Sequence, residues 1–567
     1  MSPQIPAKDY PIVGINAQLA QDTPEHTLNM YAEKESDEVM TLKPTPGSDL
    51  TYQFTANGGG RGLNSDTGRL FGVRGAFFQE IVNGSPVILG TLLTNSGNVS
   101  IITCLPPNGA GQVLIVDQNT AYVFVFNGVS ALGYASTSAT SNAVQTGPLT
   151  FTIGTFLNWQ PNDPIYIYET SNPLNSLTGT VTSYNPSTGE LVVNITSITG
   201  GGTLTDWTLQ LQSESFVTLP ASSGFVGGNS QAVFCASRGV VFKPNSTQFQ
   251  VSGQYDFTTW DGTAYATCDS LKTQLISMVS SGKLLWFFSA DGFEVWQDMG
   301  YSIQPLGWVL SSRVGCLAPF SAYFFKDYTY WLGADAEGNG VFYKHTIGVF
   351  PTPISDAPTS RLLIGIPNQQ NCISYAYQSY THDFYVNTFL PSGSSQGQSI
   401  VFDGTTNRWH ERAWRDPVLG QKQIVPYIAV VFYNNQLMGL SYLNGNIYTI
   451  DNQTFTDSGN PIIRQRITQV IPPEADWMTF FQSVELFGQT GNTPVSNIPV
   501  QLTMQYTMDR GETWSQESWQ QVGGNSTYAA RTRWAGLGSG YGMAFKFTVV
   551  CDQYISWRRF RVRAAFA

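Results

Sequence analysis

Apolar residues come along this chain in short β-branched and aromatic runs, separated by turn chemistry. Runs at 68–73, 77–82, 99–103, 113–117 and 122–127 recur about every 8–12 residues, the spacing of a sandwich, barrel or propeller. The clearest stretch is 274–345, where alternation predicts strands at 282–288 and 292–297, 322–325 and 328–333, and 340–344. Ser289-Ala290-Asp291-Gly292 and Lys326-Asp327-Tyr328 offer hairpin loops between them, and Asp335-Ala336-Glu337-Gly338-Asn339-Gly340 a longer polar tip. Further pairs are expected at 373–377 with 384–389, followed by 399–403. An up-and-down meander at 425–433, 436–442 and 446–450, linked by Asn434-Asn435 and Asn444-Gly445, is as compact as a propeller blade. No strict repeat connects these runs, so the pattern gives no blade number.

Breaks in the pattern divide the chain. Prolines and short apolar pieces from Tyr10 to Gly47 suggest an extended arm with one or two strands laid on the body. The Ser/Ala/Thr stretch at 130–144 reads as a linker. After it, 149–211 forms a unit of its own, with a hairpin of 179–184 and 190–196 about Asn185-Pro186-Ser187-Thr188-Gly189. Asp457-Ser458-Gly459-Asn460-Pro461 opens a last module. The expected organisation is an N-terminal arm and the first part of a β-propeller in 1–144, a small inserted β module in 145–214, the rest of the propeller in 215–455 and a C-terminal β domain in 456–567. The fold class is all-β, a propeller-like body with an inserted β module and a β-sandwich-like C-terminal domain.

Composition narrows the function. Of 567 residues, 42% are hydrophobic and 13% aromatic against 12% charged, with 55 Gly and 30 Pro, which excludes disorder and suits many short strands joined by tight turns. The balance of 28 basic against 39 acidic residues, net −11, argues against gripping nucleic-acid phosphates and is compatible with a channel wall that repels them. No run of 18 apolar residues exists and the N-terminus offers no signal peptide, so no membrane span is expected and synthesis is expected to leave the product in the cytoplasm of its host. Cys104, Cys235, Cys268, Cys316, Cys372 and Cys551 show no CxxC and read as buried thiols.

Catalytic patterns are weak. Gly393-Ser394-Ser395-Gln396-Gly397 matches GxSxG, yet a nucleophile elbow needs a helix after the turn and 398–402 reads as a strand. Asp335-x-Glu337-x-Asn339-Gly340 has Thr346 where a calcium loop requires a bidentate carboxylate. Thr507-Met508-Asp509-Arg510-Gly511-Glu512-Thr513-Trp514 resembles an Asp-box, a structural turn. His26, His345, His382 and His410 lie on separate segments without metal spacing, and Asp383 and Asp403 are two of many carboxylates with nothing in the sequence to pair them. No enzyme activity, no cofactor and no metal site are expected.

Two resemblances add to this. The 149–211 unit, with Gly200-Gly201-Gly202 and Trp207, resembles a small β module that recurs as an insertion in phage tail and appendage proteins. The 277–344 segment, with GKLLWFFSADGFEVWQDMG, Gly315-Cys316-Leu317-Ala318-Pro319 and TYWLGADAEGNGVFY, resembles the packaged-DNA stabilisation proteins of short-tailed phages, the tail hub or nozzle. Asn29-Met30-Tyr31-Ala32-Glu33, Pro46-Gly47 and the Arg-x-Arg C-terminus are similar to the opening and ending of that family. The resemblance implies a virion tail protein forming a ring, commonly hexameric, below the portal and adaptor. Such a ring continues the DNA channel without binding the duplex specifically, retains the genome and carries a needle, plug or fibres. Within it, Trp557, Arg559, Arg561 and Arg563 are expected on one strand face, as a cationic stripe toward an acidic neighbouring subunit or DNA, or as charges that deter stray edge pairing. The rival is a glycan-binding or glycan-cleaving tail protein using Trp159, Tyr166 and Tyr168 as surface aromatics.

Overall fold

The computed structural model describes residues 7–13, 24–35, 39–55, 57–106, 111–126, 136–157, 159–161, 163–172, 175–211, 215–392, 397–415, 421–471, 477–490, 500–522 and 529–566. Most of its strands form four-stranded antiparallel blades. Blade 1 is Gly60–Asn64, Leu70–Arg74, Phe77–Val82 and Ser85–Thr91. Blade 2 is Val99–Cys104, Gly111–Asp117, Thr120–Phe126 and, after a long excursion, Ser215–Thr218. Blades 3 to 6 are consecutive meanders beginning at Val233, Leu275, Tyr323 and Cys372. Blade 7, Tyr427–Tyr433, Gln436–Ser441 and Asn446–Asp451, takes its outer strand Gly47–Gln53 from the other end of the chain. The first strand of each blade touches that of the next, and blade 7 returns to blade 1. The body is therefore a closed seven-bladed propeller.

Burial explains why the blades were legible as runs. Blades pack face to face, so middle strands are covered on both sides and become continuously apolar, as in GQVLIVD at Gly111–Asp117 and LLWFFS at Leu284–Ser289. Buried ion pairs and hydrogen bonds also cross between blades. Arg61 of blade 1 reaches Asp117 of blade 2 at 2.7 Å and donates to the carbonyls of Gly75, Thr94, Ser96 and Gly97. Between blades 4 and 5, the Trp331 indole donates to the Gly315 carbonyl at 3.0 Å. A Cβ at Gly315 would lie 2.0 Å from the Ala290 carbonyl oxygen, so that crossing requires glycine.

The excursion from blade 2 is a module with its own core. Its main sheet runs Ser136–Ser138, Trp207–Leu211, Pro164–Glu169, Ser176–Asn185, Glu190–Thr199 and Gly147–Thr152 in spatial order. Here one face is solvated, so burial alternates along Ser176–Asn185. Trp207, Phe151, Ile165, Ile167, Leu177 and Val193 fill the inside.

The last domain is a sandwich built from both ends of the chain. One sheet holds Met30–Lys34, Met40–Pro44, Ile555–Phe566, Thr479–Thr490 and Ala530–Gly540, with Ala7–Pro11 also on Ile555–Phe566. The other carries Asn460–Ile467, Ala544–Cys551, Val500–Thr507 and Ser518–Val522. Residues expected as an arm are thus strands of this domain. The strand Met30–Lys34 works as a wedge: alternation sends Met30 and Ala32 into the sandwich core and Tyr31 into the core of blades 6 and 7.

Candidate functional site

The outer face of the first sandwich sheet gathers the charged residues of the C-terminus. Strand register places Asp9, Arg561, Glu485 and Arg533 in one row across four strands, acid and base in alternation. The adjacent row is Pro11, Arg559, Phe487 and Arg531. Arg561 donates to both carboxylate oxygens of Asp9, at 2.6 and 3.0 Å, and Arg559 lies 3.4 Å from the same group. Arg531 bonds Glu485 at 2.7 Å, with Arg533 and Arg563 each at 3.7 Å. Phe487 presents its ring to Arg559 and Arg561, 4.9 and 5.3 Å from its centroid, a cation–π arrangement.

Electrostatics leaves this face positive. The Arg561 hydrogen bond holds the Asp9 carboxyl below the usual range. Burial works against the charge of Glu485, but the bond from Arg531 and the field of Arg563 and Arg533 outweigh it and lower its pKa. Both acids therefore stay ionised and still face five arginines. Glu485 is covered, while Arg531, Arg533 and Arg559 keep about half of their side-chain surface in water.

Arg559, Arg561 and Arg563 do share a face, but Trp557 does not join them. Arg559 opposes Phe487 and Trp557 opposes Gly488, so Arg558 is an extra residue in the ladder. That bulge turns Trp557 into the core, where it is 2% exposed. Arg531, Arg533, Glu485, Phe487 and Asp9 were missed from sequence. The alternation of Arg531 and Arg533 was visible, whereas its alignment with 559–563 depends on register between strands far apart in the chain.

In the module, Trp159 is a correction: it lies in the core at 2% exposure and offers no surface aromatic. Tyr166 and Tyr168 stand on the outer face, half-buried, with ring centroids 5.6 Å apart.

The structure also brings together histidines that sequence left apart. At the joint between blade 6 and the wedge strand, His382 bonds Asp403 through Nδ1 and Glu33 through Nε2, both at 2.8 Å. Burial opposes its charge, but the two carboxylates raise its pKa above the ordinary histidine value. His410, buried nearby, is pushed down to about 3 by desolvation. His26 pairs with Glu411 at 2.5 Å. Asn29, at φ 54°, donates to the carbonyls of Ala413 and Ile463 and accepts from the Ala413 amide, tying propeller to sandwich.

Other motifs are turns. Asp335 accepts from the amides of Glu337 and Asn339, closing a hairpin tip. Asp509 accepts from the Thr507 hydroxyl and the Thr513 amide as an Asp-box does. Asp383 pairs with Lys326, and all six cysteines are buried free thiols. Gly393 to Gln396 lie outside the described residues. Among the described residues no group of His, Cys, Asp or Glu is arranged to hold a metal ion, and no helix is long and apolar enough to cross a membrane.

Residues 463–565 match the family described as bacteriophage P22 Gp10, β-sandwich, and this is the segment that forms most of the sandwich here. By class the chain is a phage tail structural protein, a component of the virion. No curated protein matches the chain. Among solved structures, the Dos1 propeller is similar at 9% identity and TM-score 0.29, over 76% of this chain and 96% of its own. PorZ of the Porphyromonas gingivalis type-IX secretion system is similar at 8% identity and TM-score 0.24, over 88% and 87%. The WD40 domain of SCAP from fission yeast is similar at 8% identity and TM-score 0.24, over 79% and 98%. Scores this low carry no functional inference.

Proposed function

We propose that the chain is the ring-forming nozzle, or hub, of a short-tailed phage tail. Copies surround the axis below the portal and adaptor, continue the DNA channel, retain the packaged genome and seat a needle, plug or fibre. The observation that carries this reading is the P22 Gp10-type sandwich at 463–565 joined to a closed propeller and bearing a cation-rich face on a chain of net −11. A rigid disc with a complementary charged side surface suits repeated association, since charge complementarity fixes register and partner choice. Net negative charge suits a wall past which DNA slides without adhering. The role requires no catalysis, and the carboxylates singled out from sequence are engaged in structural pairs.

Negative-stain imaging of the purified protein, with its mass in solution, tests the reading. A closed ring with an axial hole is expected. A monomer at all concentrations, or a ring-forming protein that also degrades host polysaccharide, would overturn it in favour of a glycan-acting tail protein.

A further inference from the structure

Residues 75–237 contain no Lys, Arg or His. They comprise the last two strands of blade 1, all of blade 2, the inserted module and the start of blade 3. Their Glu80 and Asp117 are neutralised inside the propeller by Arg69 and Arg61, but the module's Asp163, Glu169, Glu190 and Asp206 have no cation within it. Two of these share its far end. Chain entry at Ser136 and exit at Leu211 both lie beside the Ile165 and Leu209 end of the sheet. Glu169 opposes Trp207 at the other end, next to Asp206. Asp206 accepts from the Ser171 amide and Glu169 from Asn175, so both carboxylates are fixed in place. The module therefore projects a base-free acidic tip away from its blade.

The Arg face lies elsewhere on the disc. The sandwich is joined to the outer strands of blades 6 and 7 through His26–Leu28 and Thr456–Asp457. Blade 2, which bears the module, is three blades from blade 6 and two from blade 7 around the cycle. Each copy thus carries an acidic tip and a cationic face on different parts of its rim. Surfaces of that kind pair head to tail, and the repeat closes into a ring when the rotation allows.

We propose that the Arg face binds the acidic module tip of a second copy of this chain, with Arg531, Arg533 and Arg559 receiving Glu169 and Asp206. The inference rests on the ring reading and names its contact.

Charge reversal in the full-length protein tests it. One variant carries Arg531→Glu, Arg533→Glu and Arg559→Glu; a second carries Glu169→Arg and Asp206→Arg; a third carries both sets. Sedimentation velocity should show each of the first two needing at least about a hundredfold more protein to assemble, because like charges face each other, with assembly restored in the third. Raising salt from about 50 to 500 mM should weaken wild-type assembly, a readout that needs no altered fold. If wild type assembles but the third variant does no better than the first two, or the single sets assemble like wild type, the contact is wrong and the ring stands. If wild type never assembles, both fall.

Discussion

Replacing His382 with Gln should loosen the propeller–sandwich joint in a pH-dependent way. His382 is 2% exposed and spans Asp403, at 1%, and Glu33 of the wedge strand. The charged groups facing it are Asp403 and Glu33, with Lys43 3.8 Å beyond Glu33, while His410 is neutral near pH 7. A charge-assisted hydrogen bond contributes about 1.5–3 kcal/mol. The Glu33 bond belongs at the low end because that carboxylate is a quarter exposed. Asp403 keeps Thr406 and the Thr405 amide as donors, so losing His382 leaves it strained but not orphaned. The expected cost is about 3 kcal/mol, a change of about a hundredfold in local opening.

The sign follows from the shifts. The folded pKa of His382 is raised, so its stabilisation is complete below the unfolded value near 6.5 and is lost as pH rises through the folded value. Burial works against the charge of Asp403, yet its bonds, led by that from His382, lower its pKa, so its contribution is present above about 4 and lost only in stronger acid. Hydrogen-exchange protection of Met30–Lys34 and His382–Phe389, corrected for intrinsic rates, should fall in wild type from pH 6 to pH 9. In the His382→Gln variant it should start lower and stay flat. Equal protection across that range in wild type, or the same fall in the variant, would refute the reasoning.

Arg61→Met should destabilise the blade 1–blade 2 contact by about 3–5 kcal/mol, since Asp117 and four carbonyls lose a buried donor; chemical denaturation of the full chain reads it. Trp159→Ala should cost about 3–5 kcal/mol of module stability and leave propeller exchange rates unchanged, whereas Tyr166→Ala and Tyr168→Ala should cost less, by the same measurement. Gly315→Ala should fail to fold or lose several degrees in thermal midpoint, because its Cβ meets the Ala290 carbonyl. Asn29→Ala removes three hydrogen bonds and a residue type that tolerates φ 54°, and should detach the sandwich at about 2–4 kcal/mol lower cost, read by limited proteolysis.

Many strands of the propeller were legible because burial on both faces makes them apolar throughout, but those of blade 3, from Val233 to Thr267, were not placed. Asp335 and Gly340 marked a real tip, and the turns about Asn434 and Gly445 were read correctly as those of a meander. Leu306–Ser312 was missed. As the outer edge of blade 4 it buries little, with Trp308 53% exposed, and so carries neither a continuous nor an alternating pattern. Blade number was hidden because the seventh blade borrows Gly47–Gln53, a pairing across the whole chain. The cationic stripe was half legible for a similar reason. Alternation gave Arg559, Arg561 and Arg563, but the bulge at Arg558 and the partner strand 531–533 depend on cross-strand register. Trp159 misled because the size of an aromatic says nothing about which side of a thin module it fills.

Closure of the propeller and integrity of the sandwich depend on each other. A propeller resists opening when its last blade is completed by a strand from the opposite end of the chain, here Gly47–Gln53 against Asn446–Asp451. That strand leads directly out of Met40–Pro44, which belongs to the sandwich, and the crossing is held by Arg412, whose guanidinium donates to the Pro46 carbonyl at 2.7 Å and to Tyr377 at 3.0 Å. On the other side, Ser48 bonds Asp457 at 3.2 Å, and Asp457 is raised to about 6 by burial. Blade 7 therefore closes on a strand whose position the sandwich fixes. Separating the sandwich would pull the closing strand, and opening blade 7 would release the sandwich's first sheet. In the proposed ring, such mutual closure would spread load on the sandwich over the whole propeller cycle, and no single blade would have to bear it.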